Sequence, residues 1–527
     1  MIFTLHRYIF RELFRVFVLA TLALSLMMSM GAMVRPVQKY GVAPEQVFQL
    51  MGHFLPITLT FVLPVSALFA ASLVYGRFAG DNEFDACRAS GISFLTLVYP
   101  GLFLGVIVSI TTLVLSFHVV PDFIHRAEHT IKANAEQILF RNIQRKGYYS
   151  LPDNRFRIFA DHGNLESKTL QGVIIVESRQ REITQLITAE AARITFETHK
   201  NFNEVTIAAK DVCQIDKNGQ AYSNLLTLKS SFASLLTDDI KFQRIDDIKR
   251  IQADYMHFYP VRNLAYQARA RMAVEMLGEQ IAAKLADSSY KFAGPDRVVA
   301  FSAAGCIPER GNSLALKGPI VLHELDKDLG TLICRWESAS GHIELEGHEP
   351  GATLDIILDN PTHDRGDYKG IAQRHVIKYL AMPREIETAL TDDKLAAALD
   401  DLGGPGSPLA APSSELTQLV KQLKGRIERT LVEIQAEINS RLVFGLGCTL
   451  LILTGIALGV IFKGGHLLTA FGASSIPAAV LIICIVAGKA MTKDSSIAMN
   501  TGVVVMWTGL GALALLAIVL YRKLLRT

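Results

Sequence analysis

Long uncharged stretches occupy both ends of the chain, and a region of shorter alternating runs lies between them. A bilayer-crossing helix needs about 20 apolar residues, and the stretches that meet this length are 16–34, 54–76, 92–120, 442–462, 467–488 and 500–521. Between 121 and 440 the sequence has no stretch of this kind. The pattern therefore predicts an α-helical membrane protein in which a large extramembrane region separates two membrane halves of three helices each.

The first part of the extramembrane region, 122–250, has the alternation that is typical of strands. Asp-Asn, Gly-Asn and Asn-Gly pairs separate the runs and predict turns. The predicted strands are 156–160, 172–177, 183–189, 193–197, 204–208 and 224–228. Many short strands with turn signals between them indicate an antiparallel, jelly-roll-like β domain.

An additional mixed α/β insertion is predicted at 251–402. It begins with an Ala-rich helical segment and continues with strand signals from Arg297 to about Leu380. Residues 191–197 and 205–207 resemble 340–346 and 354–356, which suggests a second copy of part of the β unit.

A linker and an amphipathic helix at 403–441 connect the insertion to the second membrane half, 442–527. The linker is rich in Pro, Gly and Ser. The helix carries apolar residues at helical spacing, namely Leu416, Leu419, Leu423, Ile427, Leu431, Ile434 and Ile438.

A short polar segment, 81–91, separates the second and third spans of the first membrane half, 1–121. Asp81 is suited to the N-cap of a short helix, Glu83 and Asp85 suit its positive first turn, and Gly91 suits its end. Such a helix is either an acidic docking element for a partner or a solvated connector between two spans, and the residues alone leave both readings open.

Composition and charge placement refine this picture. Half of the 527 residues are hydrophobic and the mean hydropathy is +0.28, as expected for an integral membrane protein. A net charge of +3 gives no reason to expect nucleic acid as a partner. Cations favour one side of the predicted spans, as the positive-inside rule requires if both termini are cytoplasmic and the β region lies outside. The short inner segments carry Arg7, Arg11, Arg15, Arg77, Arg88, Lys463, Arg522, Lys523 and Arg526, and the short outer ones carry Arg35, Lys39, Lys489 and Lys493.

Sequence motifs for catalysis are missing. The nearest approach to a nucleotide-binding P-loop, Gly488-Lys489, lacks the upstream glycine and the following Ser or Thr. His323-Glu324 and His348-Glu349 do not continue as zinc-protease motifs. We therefore expect no catalytic residue, no metal site and no cofactor. The six cysteines form no Cys-x-x-Cys pair, and a Cys306–Cys334 disulfide is left open.

Arg35 and Lys39 follow the first span directly. Cations at this position act either as interfacial anchors or as ligands for the headgroup of an anionic lipid. The sequence supports both interpretations.

Four segments together resemble the LptF/LptG family of lipopolysaccharide-export permeases: Arg-Tyr-Ile-Phe-Arg-Glu at 7–12, Leu63-Pro64, the polar segment 81–91 and Glu-Ile-Asn-Ser-Arg at 437–441. The resemblance covers the N-terminal third and the fourth span best. It has no counterpart for about 254–409, which makes this chain longer than the usual member.

The resemblance implies a permease subunit of an ABC-type exporter in the inner membrane. Its expected partners are a cytoplasmic LptB-like ATPase, a paralogous permease or a second copy of the chain, LptC/LptA-like periplasmic bridge proteins and lipopolysaccharide. It also implies that Glu83 docks into the ATPase, with Asp81, Asp85, Arg88 and Gly91 in the same coupling element, and that Arg35 and Lys39 lie near lipid phosphates. The alternatives are a scaffold or mechanotransmitting permease that moves no lipid, and a membrane enzyme.

Overall fold

The computed structural model describes residues 2–40, 44–133, 135–150, 156–165, 167–179, 182–198, 203–216, 219–232, 239–285, 289–309, 311–327, 330–346, 351–364, 369–400, 402, 409, 411–462, 467–493 and 499–526. The chain forms two compact units. The first comprises 1–254 and 429–527, and the second comprises 255–428.

The helices are α1 (Ile2–Tyr40), α2 (Pro44–Gly80), α3 (Glu83–Ala89), α4 (Phe94–Val114), α5 (Val120–Ala133), α6 (Ala135–Lys146), α7 (Ile245–Ala253), α8 (Tyr259–Leu285), α9 (Arg384–Ala389), α10 (Asp392–Asp400), α11 (Ser414–Ile461), α12 (Leu467–Lys493) and α13 (Met499–Arg526). Short 3-10 helices lie at Ile240–Phe242 and Tyr255–His257.

The strands of the first unit are β1 (Tyr148–Ser150), β2 (Phe156–Asn164), β3 (Thr169–Arg179), β4 (Glu182–Thr198), β5 (Asn203–Asp216) and β6 (Gly219–Phe232). Those of the second unit are β7 (Tyr290–Ala293), β8 (Arg297–Ser302), β9 (Gly305–Pro308), β10 (Ser313–Asp326), β11 (Leu332–Glu346), β12 (Thr353–Asp359), β13 (Thr362–Asp364), β14 (Lys369–Ile371) and β15 (Arg374–Leu380).

Six of the described helical segments are long and apolar enough to span a membrane: Phe3–Gly31, Phe54–Gly80, Phe94–Glu128, Ser414–Ile461, Gly472–Thr492 and Thr501–Arg526. Small residues bring α2 and α11 close together. A Cβ added to Gly459 would lie 2.8 Å from the Ser72 carbonyl oxygen, and one added to Gly76 would lie 3.5 Å from the Gly459 carbonyl oxygen. Small residues at such positions allow membrane helices to approach at backbone distance.

The third span continues past Pro121, where the sequence predicts its end. A π-helical turn at Leu115–Val119 connects α4 to α5, and Pro121 lies in the first turn of α5. Proline in a helix interior removes one backbone hydrogen bond and crowds the preceding turn. The wider π turn changes the hydrogen-bond register just before this residue, so the helix absorbs the proline instead of ending at it.

The β-strands of the first unit form one six-stranded antiparallel sheet in chain order, β1 to β6. One face is apolar, with Ile158, Ile175, Ile194 and Val205 fully buried, and α6 packs on it through Leu139, Phe140 and Ile143. Alternation along each strand produces this two-faced sheet, because successive side chains point to opposite sides.

Strand β4 is a single strand, although the sequence predicts two strands at 183–189 and 193–197. One row of residues that runs across the sheet, from strand to strand, takes no part in the strand pairing. This row consists of Asp161, Gly172, Glu190, Asp211 and Asn224. Within this row Gly172 and Asp211 have φ of 61° and 53°. The apolar alternation is interrupted at the same row in each strand, which makes one continuous strand look like two in sequence.

The second unit contains a nine-stranded antiparallel sheet and the helices α8, α9 and α10. The suspected internal repeat has a structural counterpart. Ile194 pairs with Ile207 in the β4–β5 hairpin, and Ile343 pairs with Ile356 in the β11–β12 hairpin. The two similar segments therefore form hairpins with the same pairing of matched residues.

All six cysteines lie among the described residues, and none of them forms a disulfide. Cys306 pairs with Leu316 and Cys334 with Glu324, eight positions further along β10. This corresponds to roughly 27 Å along a strand, far beyond disulfide reach. Burial raises the pKa of the Cys306 thiol to about 11, which keeps it protonated and unreactive at neutral pH.

Candidate functional site

The polar segment between α2 and α4 forms the short helix α3. Asn82, with φ of 57°, occupies its N-cap without a side-chain cap hydrogen bond. The prediction of Asp81 as the N-cap is therefore wrong, because the chain turns through a left-handed residue one position later. The predicted role of Gly91 in ending the helix is confirmed: its φ is +80°, and its N–H donates to the Arg88 carbonyl oxygen at 2.9 Å. The next N–H, of Ile92, donates to Cys87 O at 3.1 Å, which completes a Schellman motif.

Phe84 attaches α3 to the membrane helices. Its side chain is buried, and its ring centroid lies 5.8 Å from that of Tyr75 in α2 and 6.0 Å from that of Phe94 in α4. Such aromatic contacts fix the orientation of a short helix that has too few internal hydrogen bonds to be stable alone. The polar face of α3 is consequently held in a defined direction.

That polar face is exposed and carries the predicted coupling residues Glu83, Asp85 and Arg88, with Asp81 exposed just before the helix. Glu83 also lines an apolar groove of about 240 Å³, open solvent included. The other residues of the groove are Leu5, Tyr8, Ile9, Phe78, Phe84, Cys87 and Leu97. An acidic group beside an exposed apolar groove can bind a partner that offers a cation or hydrogen-bond donor next to an apolar side chain.

An ion pair borders this region. Arg77 Nη2 at the end of α2 lies 2.9 Å from Glu12 Oε1 on α1. His6 Nε2 lies 2.9 Å from the Thr96 carbonyl oxygen of α4. These contacts hold the N-terminal part of α1, which precedes the predicted first span 16–34, against the helices that carry α3. In the structure this part and the first span are one helix.

A second polar cluster lies at the opposite end of the helix bundle. Glu437 on α11 pairs with Arg441 through Oε1 at 3.0 Å and with Lys489 of α12 through Oε2 at 2.6 Å. Arg441 also donates to the Lys241 carbonyl oxygen at 2.9 Å and lies over the Phe117 ring. Pairing and hydrogen bonding offset the desolvation of charges that lie next to apolar helices.

Sequence analysis assigns no functional role to the Glu437–Arg441–Lys489 cluster. Its signal is the spacing of four residues between Glu437 and Arg441, which places opposite charges on one helix face at the start of an apolar run. Lys489 has no sequence signal that links it to them, since the contact joins α11 to α12 over 52 residues.

Arg35 and Lys39 lie in the last turns of α1. Their side chains are outside the described residues. Both interpretations of these cations, as interfacial anchors and as ligands of a lipid headgroup, therefore stay predictions. Among the described residues there is no group of His, Cys, Asp and Glu arranged to hold a metal ion.

In the part of the chain that the structure describes, six helices long and apolar enough to span a membrane, together with antiparallel β sheets, define a multi-pass membrane protein with a β region. Residues 7–523 match the family model of the lipopolysaccharide export system permease LptF/LptG, and the chain belongs to this family. The search of curated proteins found no match. Members of the family are permease subunits of the lipopolysaccharide export system, and the chain is accordingly a multi-pass inner-membrane protein.

Proposed function

We propose that the chain is the transmembrane subunit of an ABC-type exporter, extracts lipopolysaccharide from the inner membrane and passes it to a periplasmic β-jelly-roll bridge. A separate LptB-like subunit hydrolyses ATP. The observation that carries the proposal is the geometry of α3: Glu83 is exposed at the edge of an apolar groove, on a helix that Phe84 holds against α2 and α4. Both termini are then cytoplasmic and both β regions periplasmic.

In this proposal α3 is the coupling helix. Glu83 contacts a basic or hydrogen-bonding group of the ATPase, the groove receives an apolar side chain next to it, and Asp81, Asp85 and Arg88 supply the surrounding charge pattern. Because Phe84 packs on Tyr75 and Phe94, a displacement of α3 by the ATPase is transmitted to α2 and α4 rather than lost in a flexible loop.

The lipid path in this proposal begins at the membrane helices and ends on the apolar face of the first sheet, the jelly-roll-like domain. Acyl chains that leave the bilayer need continuous apolar cover, since each exposed CH₂ costs about 0.8 kcal/mol. Arg35 and Lys39 would bind the lipid phosphates at the start of this path. Arg35, which can bind phosphate in a bidentate manner, contributes more than Lys39.

Replacement of Glu83 by Lys tests the coupling role. Breaking a desolvated charge pair at an interface costs about 2 to 5 kcal/mol, so the variant is expected to lose copurification with the ATPase while still inserting in the membrane. Glu344→Lys, the same charge reversal at an exposed position of β11, is the matched control and should copurify normally. If Glu83→Lys retains both the ATPase and normal transport, α3 is only a connector.

The second candidate is a mechanotransmitting permease that moves no lipid. The same docking geometry supports this second candidate, because the position of α3 concerns the contact with the ATPase and not the molecule that is transported. The two functions differ in one measurement: lipopolysaccharide stimulates ATP hydrolysis by the reconstituted complex if lipid is the cargo, and leaves it unchanged if the subunit only transmits motion.

A further inference from the structure

Two buried arginines lie two positions apart on α8 of the second unit and have opposite surroundings. Arg269 is 8% exposed and Arg271 is 4% exposed. Arg271 Nε lies 2.7 Å from Glu275 Oε1, and Arg271 Nη1 donates to the Gly311 carbonyl oxygen at 2.7 Å and to the carbonyl oxygen of Glu309. Its charge is fully compensated.

Arg269 has no such compensation. Among the described residues its guanidinium has no ion-pair partner, and its Nη1 is a buried nitrogen with no hydrogen-bond partner. A buried guanidinium nitrogen without a partner has lost its hydration and gained no hydrogen bond, which costs stability. A structural arginine would be expected to look like Arg271. A feature that lowers the stability of the fold without stabilising any other part of it is typical of a binding site.

Arg269 lines a shallow, open pocket that belongs entirely to the second unit. Most of the wall is apolar and comes from α8, β11 and the α9 region: Ala270, Ala273, Leu345, Ala352, Met382, Ile386 and Leu390. Gly351 and Glu387 complete the lining. A concave, mostly apolar site with a few polar or charged groups is the usual form of a small-molecule site.

From this combination we propose that the pocket binds a compact monoanion with an apolar body, namely a short-chain carboxylate. The carboxylate supplies the charge that Arg269 lacks, and the apolar body covers Ala270, Ala273, Ile386 and Leu390. A phosphate dianion fits less well, because Glu387 lines the same pocket and no second cation does. All of the residues that line the site belong to the second unit.

Hexanoate is a suitable probe for the full-length chain in nanodiscs at pH 7. Ligand-observed NMR measures its binding, and thermal unfolding measures its effect on stability. Empty nanodiscs give the partition of hexanoate into lipid, which is subtracted. Wild type is expected to bind hexanoate and to unfold at a higher temperature in its presence. Arg269→Met should weaken binding at least tenfold and leave the ligand-free unfolding temperature equal or higher, because it removes an uncompensated buried charge. Arg384→Met, an exposed arginine at the start of α9, is the matched control and should bind normally.

Ala273→Leu gives a second, independent test: it fills the pocket, keeps Arg269 and should also weaken hexanoate binding. Hexanol should bind at least tenfold more weakly than hexanoate, and hexyl phosphate should also bind more weakly than hexanoate. The proposal is overturned if wild type shows no binding at about 10 mM hexanoate, which would occupy most of a site with a Kd near 1 mM. The proposal is also overturned if hexanol or hexyl phosphate binds as well as hexanoate. A third contradicting result is an Arg269→Met variant that unfolds at a lower temperature and binds hexanoate with unchanged affinity, because Arg269 would then have a structural role.

Discussion

At the scale of single residues, Glu324 of the second unit is a buried charge, 3% exposed, that has a full set of partners. Its carboxylate accepts hydrogen bonds from Arg297 Nη1 at 2.7 Å and from Trp336 Nε1 at 2.7 Å, and its Oε1 lies 3.0 Å from His375 Nε2. The His375 ring stacks on Trp336 with a centroid distance of 3.7 Å. Burial alone would raise the pKa of Glu324, but the hydrogen bonds from His375, Arg297 and Trp336 outweigh it and lower the pKa below the usual 4.5.

This depressed pKa predicts acid sensitivity. Glu324 binds a proton less readily in the folded chain than in the unfolded chain, so its stabilising contribution is complete above pH 4.5 and is lost as the pH falls through the lower native pKa. Glu324→Gln should lower the stability of the second unit by about 2 kcal/mol at pH 7 and flatten its decline at acidic pH. The chain has two tryptophans, so Trp336 fluorescence in a Trp507→Phe background measures unfolding of this unit. An equally steep acid decline in Glu324→Gln would assign the sensitivity to other carboxylates.

At the scale of elements, sequence reasoning succeeded where local chemistry decides the outcome. The apolar runs located the membrane helices because length and hydropathy suffice for that, and Gly91 marked the end of α3 because a left-handed residue there favours glycine. It failed where a neighbouring element decides. Asp81 has the chemistry of a cap, but the chain places Asn82 there, with φ of 57°. Pro121 has the chemistry of a helix end, but the π turn before it lets the helix continue. Strand β4 looks like two strands because the unpaired row that contains Glu190 crosses the whole sheet.

The first sheet gives the element-scale prediction. Phe196 and Leu228 lie partly buried at the edge of its apolar cluster, whereas Thr195 and Thr227, their chain neighbours, are exposed on the other face. If the apolar face conducts acyl chains, photo-crosslinkers at Phe196 and Leu228 should capture lipopolysaccharide in cells that are exporting it, and those at Thr195 and Thr227 should not. Because neighbouring positions differ only in the face they occupy, labelling restricted to the threonines would place the lipid path elsewhere.

At the scale of the whole molecule, the spanning helices differ in how well the chain covers them. The apolar window of α2 is 61% buried and that of α11 is 56% buried, whereas that of α1 is only 17% buried. On α1 the large apolar side chains Leu19, Leu22, Leu26 and Met30 are exposed at helical spacing. Sequence hydropathy could not distinguish these helices, since all of them are apolar, and only their packing separates central helices from peripheral ones.

The last prediction concerns this exposed face of α1, for which lipid and a second permease are the two natural occupants. If the chain works with a paralogue or a second copy, as the resemblance to the family implies, a photo-crosslinker at Leu26, which is 61% exposed, should capture a second permease subunit, while one at Ser25, which is 6% exposed, should not. Mass spectrometry of the adduct distinguishes a second copy from a paralogue.

Membrane helices associate through van der Waals packing rather than the hydrophobic effect, so a single bulky change such as Leu26→Trp should reduce copurification of that subunit while insertion stays normal. Adducts with lipid alone, together with full copurification of the Leu26→Trp variant, would show that this face of α1 meets the bilayer and that the permease pairs through another helix.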